Sequence, residues 1–184
     1  MKKFLYLTAI ITLLTPLCFA EEANNQQSPN VLIAYYSLSG NTKKVAEAIQ
    51  KETGGTLFQI ETVKTYPEDY DQLLEEAKKE IDEEFYPGLR ANLSNIDKYD
   101  VIFIGSPNWW GSIAPAVGSY LIINNFKDKR VIPFITHGGG GQQNTIKKLT
   151  ALCKNCKISP NPWIGIKNDT AGIHDWLKKQ GLVK

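Results

Sequence analysis

The sequence is poor in the residues that most enzymes use to hold metals or move protons. It has two histidines, three cysteines and one methionine in 184 residues. His137 and His174 lie far apart, and neither an H-E-x-x-H run nor an acid cluster accompanies them, so no metal site and no catalytic triad is expected. Charge of one sign is lacking too: 21 basic residues face 19 acidic ones, for a formal net charge of +2. No basic stripe points to nucleic acid. Internal repeats, low-complexity tracts and long linkers are missing, and 42% hydrophobic with 22% charged residues is a globular composition. The length suits one domain.

The one long apolar run stands at the amino terminus. Lys2 and Lys3 precede Phe4 to Leu17, which is interrupted by Thr8, Thr12, Thr15 and Pro16. Cys18-Phe19-Ala20 then places small residues at the −3 and −1 positions of a cleavage site before Glu21. This is the anatomy of a secretory signal peptide over residues 1–20. Lipidation at Cys18 fits less well, because Leu17 is too bulky, and the run is short and broken for a membrane span. Loss of the two lysines leaves 19 charges of each sign on an exported, periplasmic chain with no stable membrane insertion. Residues 21–29 read as a flexible lead-in, and residues 30–184 as the domain.

Once Cys18 is removed, Cys153 and Cys156 remain, spaced C-x-x-C. An oxidising compartment invites a disulfide between them, although two idle thiols remain an alternative.

Strand and helix patterns alternate along the domain. Apolar, β-branched runs at Asn30–Tyr36, Thr56–Glu61, Asp100–Gly105 and Arg130–Thr136 read as strands, with a fifth blurred by Pro160 and Pro162 before Ile166. Helices are expected after Asn41 and over Asp69–Phe85, Ile113–Asn124, Gln142–Leu152 and Thr170–Lys179. Five such alternations demand a parallel sheet covered on both faces, an α/β doubly wound architecture in three layers. Ligands of such sheets sit beyond the carboxyl ends of the strands.

Three loops fall there. In the first, Ser37, Leu38, Ser39, Gly40, Asn41 and Thr42 offer hydroxyls, an amide and a tight turn at a helix amino terminus. With no Walker lysine and no G-x-G-x-x-G, the loop suits a phosphate monoester held by neutral donors; a plain helix cap would explain only Ser39 or Asn41. In the second, Pro107, Asn108, Trp109, Trp110 and Gly111 place two indoles at the mouth of a central strand, suited to stacking on a flat ring, while one of them could equally plug the core. In the third, Thr136 and His137 lead into Gly138, Gly139 and Gly140, which permit close backbone approach.

The S-x-S-G-N-T pattern directly after a first strand resembles the phosphate loop of the flavodoxins, whose ligand is FMN. The resemblance runs from about Asn30 to Leu182 and is nearest the group with a W-W-G second loop. It implies a five-stranded parallel sheet of order 2-1-3-4-5. It also implies FMN as cofactor, a second loop that wraps the ring system, and a third loop against its pyrimidine side. His137 stands where the group more usually has serine. Tyr66-Pro67-Glu68-Asp69-Tyr70 is similar to another segment of the group, read here chiefly as a structural turn with packed tyrosines. Two activities follow: an electron carrier between partner proteins, or an FMN-dependent NAD(P)H:quinone-type oxidoreductase. Scarce nicotinamide outside the cytoplasm disfavours the second. A neutral surface disfavours the first, since it steers partners weakly.

Overall fold

The structure, a computed structural model, describes residues 28–93 and 95–184. The expected signal peptide and most of the lead-in lie outside the described residues.

The short apolar runs become strands because each carries side chains suited to burial on both faces. In β1 (Val31–Tyr35), Leu32 and Ala34 enter one core, and Val31, Ile33 and Tyr35 enter the other. β2 (Thr56–Gln59) follows α1 (Asn41–Thr53) and pairs with β1 in parallel. α2 (Tyr70–Asp82) starts where the Asp69 side chain accepts from the Gln72 amide at 3.0 Å. β3 (Val101–Trp109) repeats the alternation, with Ile102 and Ile104 on one side and Val101 and Phe103 on the other. The two-residue β4 (Ser112–Ile113) and α3 (Pro115–Ile123) come next. β5 (Arg130–His137) leads to α4 (Thr145–Leu152), then β6 (Lys157–Ile158), β7 (Trp163–Ile166) and α5 (Ile173–Lys179).

The sheet order is β2-β1-β3-β5-β6, with β7 also on β5, and these neighbours are all parallel. This is the expected 2-1-3-4-5 order, with the fifth strand in two pieces. Pro160 and Pro162 explain the split, since neither can donate to a ladder. Val45, Ala46 and Ile49 of α1 share one core with Ile173, Trp176 and Leu177 of α5. Ala116, Val117 and Tyr120 of α3 share the other with Leu149 of α4.

One element differs in kind from expectation. The segment after Gly105 is not an open loop: β3 continues to Trp109 and folds back antiparallel, with Trp109 opposite Ser112. The two turn residues, Trp110 (φ 50°) and Gly111 (φ 81°), both have positive φ, as a two-residue I′ hairpin requires. Gly111 adopts this freely, whereas a bulky residue such as Trp110 does so at some cost.

Candidate functional site

The chain leaves β1 for one side of the sheet and returns to β3 on the other, so the crevice opens beyond the carboxyl ends of β1 and β3. The first loop enters α1 through Gly40, whose φ of 83° turns the backbone and which has no side chain to cap the helix. Ser37 Oγ accepts from the Lys43 amide at 3.1 Å, and Asn41 Nδ2 donates to Ser39 Oγ at 3.0 Å. Among the described residues, no acceptor meets the amides of Asn41 and Thr42. Those free donors and the helix dipole make an anion-binding end. Thr42 is buried, and its hydroxyl bonds that of Thr136 at 2.8 Å, tying the first loop to the third.

One side chain ties the hairpin to the third segment. Asn108 Nδ2 donates to the Gly141 carbonyl at 2.7 Å, and its Oδ1 accepts from the Gly111 amide at 2.9 Å. Trp109 is half-buried edge-on against Tyr36 and Tyr66, with ring centroids 5.5 and 5.1 Å away. Tyr66 in turn donates to the carboxylate of Glu80. Burial pushes the Glu80 carboxyl up, opposed by the Tyr66 bond, and burial likewise drives the Tyr36 and Tyr66 hydroxyls well above the usual phenol range. Trp110 behaves differently. It is 54% exposed, and its Nε1 donates to the Leu74 carbonyl of α2 at 3.2 Å.

In the third loop the Gly139 amide donates to His137 Nδ1 at 3.0 Å. That bond needs a bare Nδ1, so the proton of the neutral ring sits on Nε2 as a free donor. A Cβ at Gly138 or Gly139 would meet nothing within 4 Å, so the space beside this loop is open.

These pieces meet around one cavity of about 260 Å³. It is lined by Leu38, Ser39, Asn41 and Thr42 from the first segment, Pro107, Asn108 and Trp109 from the second, and Thr136, His137 and Gly138 from the third. Ser37, Gly40, Trp110, Gly111, Gly139 and Gly140 stand outside this lining. Gly111 faces away, its carbonyl accepting from the Asn144 amide at 2.9 Å. Ser37 lines a neighbouring cleft with Tyr36 and Tyr66. Trp110 lines another, of about 370 Å³, with Leu73, Leu74 and Ala77 of α2. Two lining residues lay outside the sequence-based set, Tyr70 and Lys167. The tyrosine-rich turn carried a signal for the first. Nothing marked Lys167, which follows an edge strand that the prolines obscure.

A family model for flavodoxins matches residues 30–180. The chain belongs to the flavodoxin family. Among solved structures, this flavodoxin resembles a candidate flavoprotein from Bacteroides eggerthii at 28% identity and a TM-score of 0.73, over 85% of this chain and 99% of that one. It also resembles a Lactobacillus acidophilus flavoprotein in complex with FMN, at 24% identity and a TM-score of 0.67, over 80% of this chain and 98% of the other. A curated relative, an NAD(P)H dehydrogenase (quinone) of Paraburkholderia phymatum, is 28% identical over 92 residues. That match takes in 50% of this chain and spans 44% of the relative's length.

Proposed function

We propose that this flavodoxin binds FMN non-covalently in the three-segment cavity and transfers electrons for partner proteins of an exported, periplasmic compartment. The convergence of Ser39, Trp109 and His137 on one cavity carries this reading. The donor set fits the cofactor. The free amides of α1, with Ser39 and Asn41, suit a phosphate monoester, and Trp109 and Tyr70 supply aromatic surface for a ring. His137 Nε2–H and the open backbone of Gly138 and Gly139 suit the polar ring edge. FMN supplies one- and two-electron chemistry when bound. The chain binds it, orients it and limits its contact with water.

Export is supported by the basic and apolar amino terminus and by the disulfide between Cys153 and Cys156. No helix among the described residues is long and apolar enough to cross a membrane. Protein recovered from a periplasmic fraction should begin at Glu21 by mass spectrometry; an intact Met1 overturns the export reading.

A second reading, an FMN-dependent NAD(P)H:quinone-type oxidoreductase, is favoured by the quinone dehydrogenase match and by the apolar cleft under Trp110 beside the cavity. Purified protein should be yellow, and its apoprotein should quench FMN fluorescence on binding. Absence of FMN binding overturns both readings. Rapid NAD(P)H oxidation with a quinone would select the second.

A further inference from the structure

The cavity wall includes one basic residue that the sequence pattern gives no reason to expect. Lys167 lies one residue beyond β7, where Thr136 pairs with Gly165 and His137 with Ile166. Its amide donates to the His137 carbonyl at 2.7 Å, and its φ of 51° turns the chain there. The backbone of Lys167 is thereby anchored to the third segment, and the residue lines the cavity beside Thr136, His137 and Gly138.

Its surroundings carry no compensating charge. The first and second segments line the cavity with neutral residues only, and no aspartate or glutamate is part of the lining. His137 Nδ1 accepts the Gly139 amide at 3.0 Å. Asp169, the acid nearest in sequence, accepts the Ala171 amide at 2.9 Å. Among the described residues, no carboxylate lies within 4.0 Å of the Lys167 ammonium.

We infer that Lys167 makes the cavity hold the reduced cofactor more tightly than the oxidised one, and so raises its two-electron potential. The inference rests on the FMN reading. The oxidised ring is neutral; two electrons from an external reductant and one proton from water convert it to a monoanion. A cation at the cavity wall favours that product over the starting form. A cation acting on the phosphate would instead strengthen both forms equally, because the phosphate charge does not change on reduction.

The test compares the wild-type protein with Lys167→Met, Lys167→Arg and, as a net-charge control on the exposed far end of α1, Lys51→Met. Oxidised FMN affinity is measured by fluorescence quenching, and the midpoint by anaerobic dithionite titration. In Lys167→Met, affinity for oxidised FMN should stay within about threefold, while affinity for the reduced form falls about tenfold. That is a midpoint lower by about 30 mV for a two-electron couple. Lys167→Arg should restore most of the shift, and Lys51→Met should show none. Equal weakening of both forms, or an unmoved midpoint, overturns the inference while leaving the FMN reading intact. A wild-type protein that binds no FMN removes both.

Discussion

The two edges of the sheet are built on opposite plans. At the amino edge, polar groups are spent on one another across long sequence distances. Arg130 Nη2 donates to the Gln180 carbonyl and to its Oε1, each at 2.9 Å, and Ser159 donates to the same Oε1 at 3.0 Å. Gln180 Nε2 and Trp176 Nε1 both donate to the Asn161 carbonyl. Lys129 clamps the carbonyls of Asp97 and Tyr99, and the Cys153–Cys156 disulfide closes the turn after α4. At the carboxyl edge, side-chain straps bind the segments together from Thr42 to Thr136 and from Asn108 to Gly141. Other donors there are left free, and glycines replace side chains. A fold of this kind concentrates rigidity at one end of its strands and availability at the other, which is how a marginally stable domain can keep unsatisfied donors for a ligand.

Variants that respect or violate this division test it, beginning with the largest expected effect. Trp109→Ala should cost about 3 kcal/mol of unfolding free energy, at the low end for a large aromatic because the side chain is half-buried, and should also weaken FMN. Stability measured by urea melts with FMN affinity unchanged would show that the indole serves the core alone. Ser39→Ala combined with Thr42→Ala should lower FMN affinity by about 1–3 kcal/mol, with the Thr42 share arising from the lost strap to Thr136. Unaltered fluorescence titration would remove the first segment from the site. Gln180→Ala should cost about 1–3 kcal/mol of stability, since it strips partners from Arg130 and Ser159, yet leave FMN affinity within about twofold. A large affinity loss in that variant would join the two edges that the structure keeps apart.

Titration makes a further prediction. Burial raises the hydroxyls of Tyr36, Tyr66 and Tyr120 above their ordinary value of 10.0, so the folded chain holds protons that the unfolded chain releases. Unfolding free energy should therefore fall as pH rises past 10, by up to about 1.4 kcal/mol per pH unit for each such tyrosine. A flat stability profile from pH 10 to 11 would contradict it. The smallest effect belongs to Trp110→Ala. The indole is exposed and the substitution relieves none of the positive φ, so stability and FMN affinity should each change by less than about 1 kcal/mol.

How much could be read beforehand follows from the range of the interactions involved. Tandem strand and helix runs were legible because burial on two faces imposes local apolar patterns, and the Pro160 and Pro162 interruption was visible for the same reason. The S-x-S-G-N-T loop was legible because a strand, a hydroxyl-rich turn and a helix start are contiguous in the chain. The W-W-G segment was misread as an open loop. Its hairpin depends on Asn108 gripping Gly141, 33 residues away. Lys167 was invisible because its place beside His137 is set by strand pairing.

The linear chain by itself determined the alternating architecture, the family and the three segments that bring polar and aromatic groups to one edge of the sheet, since each is encoded in neighbouring residues. Only the tertiary structure decided that Trp109 lines the cavity while Trp110 leans on α2, that Thr42 and Thr136 share a buried bond, and that a lysine just beyond the edge strand joins the wall. Those outcomes depend on contacts between residues distant in sequence, whose energies exist only after the sheet has assembled.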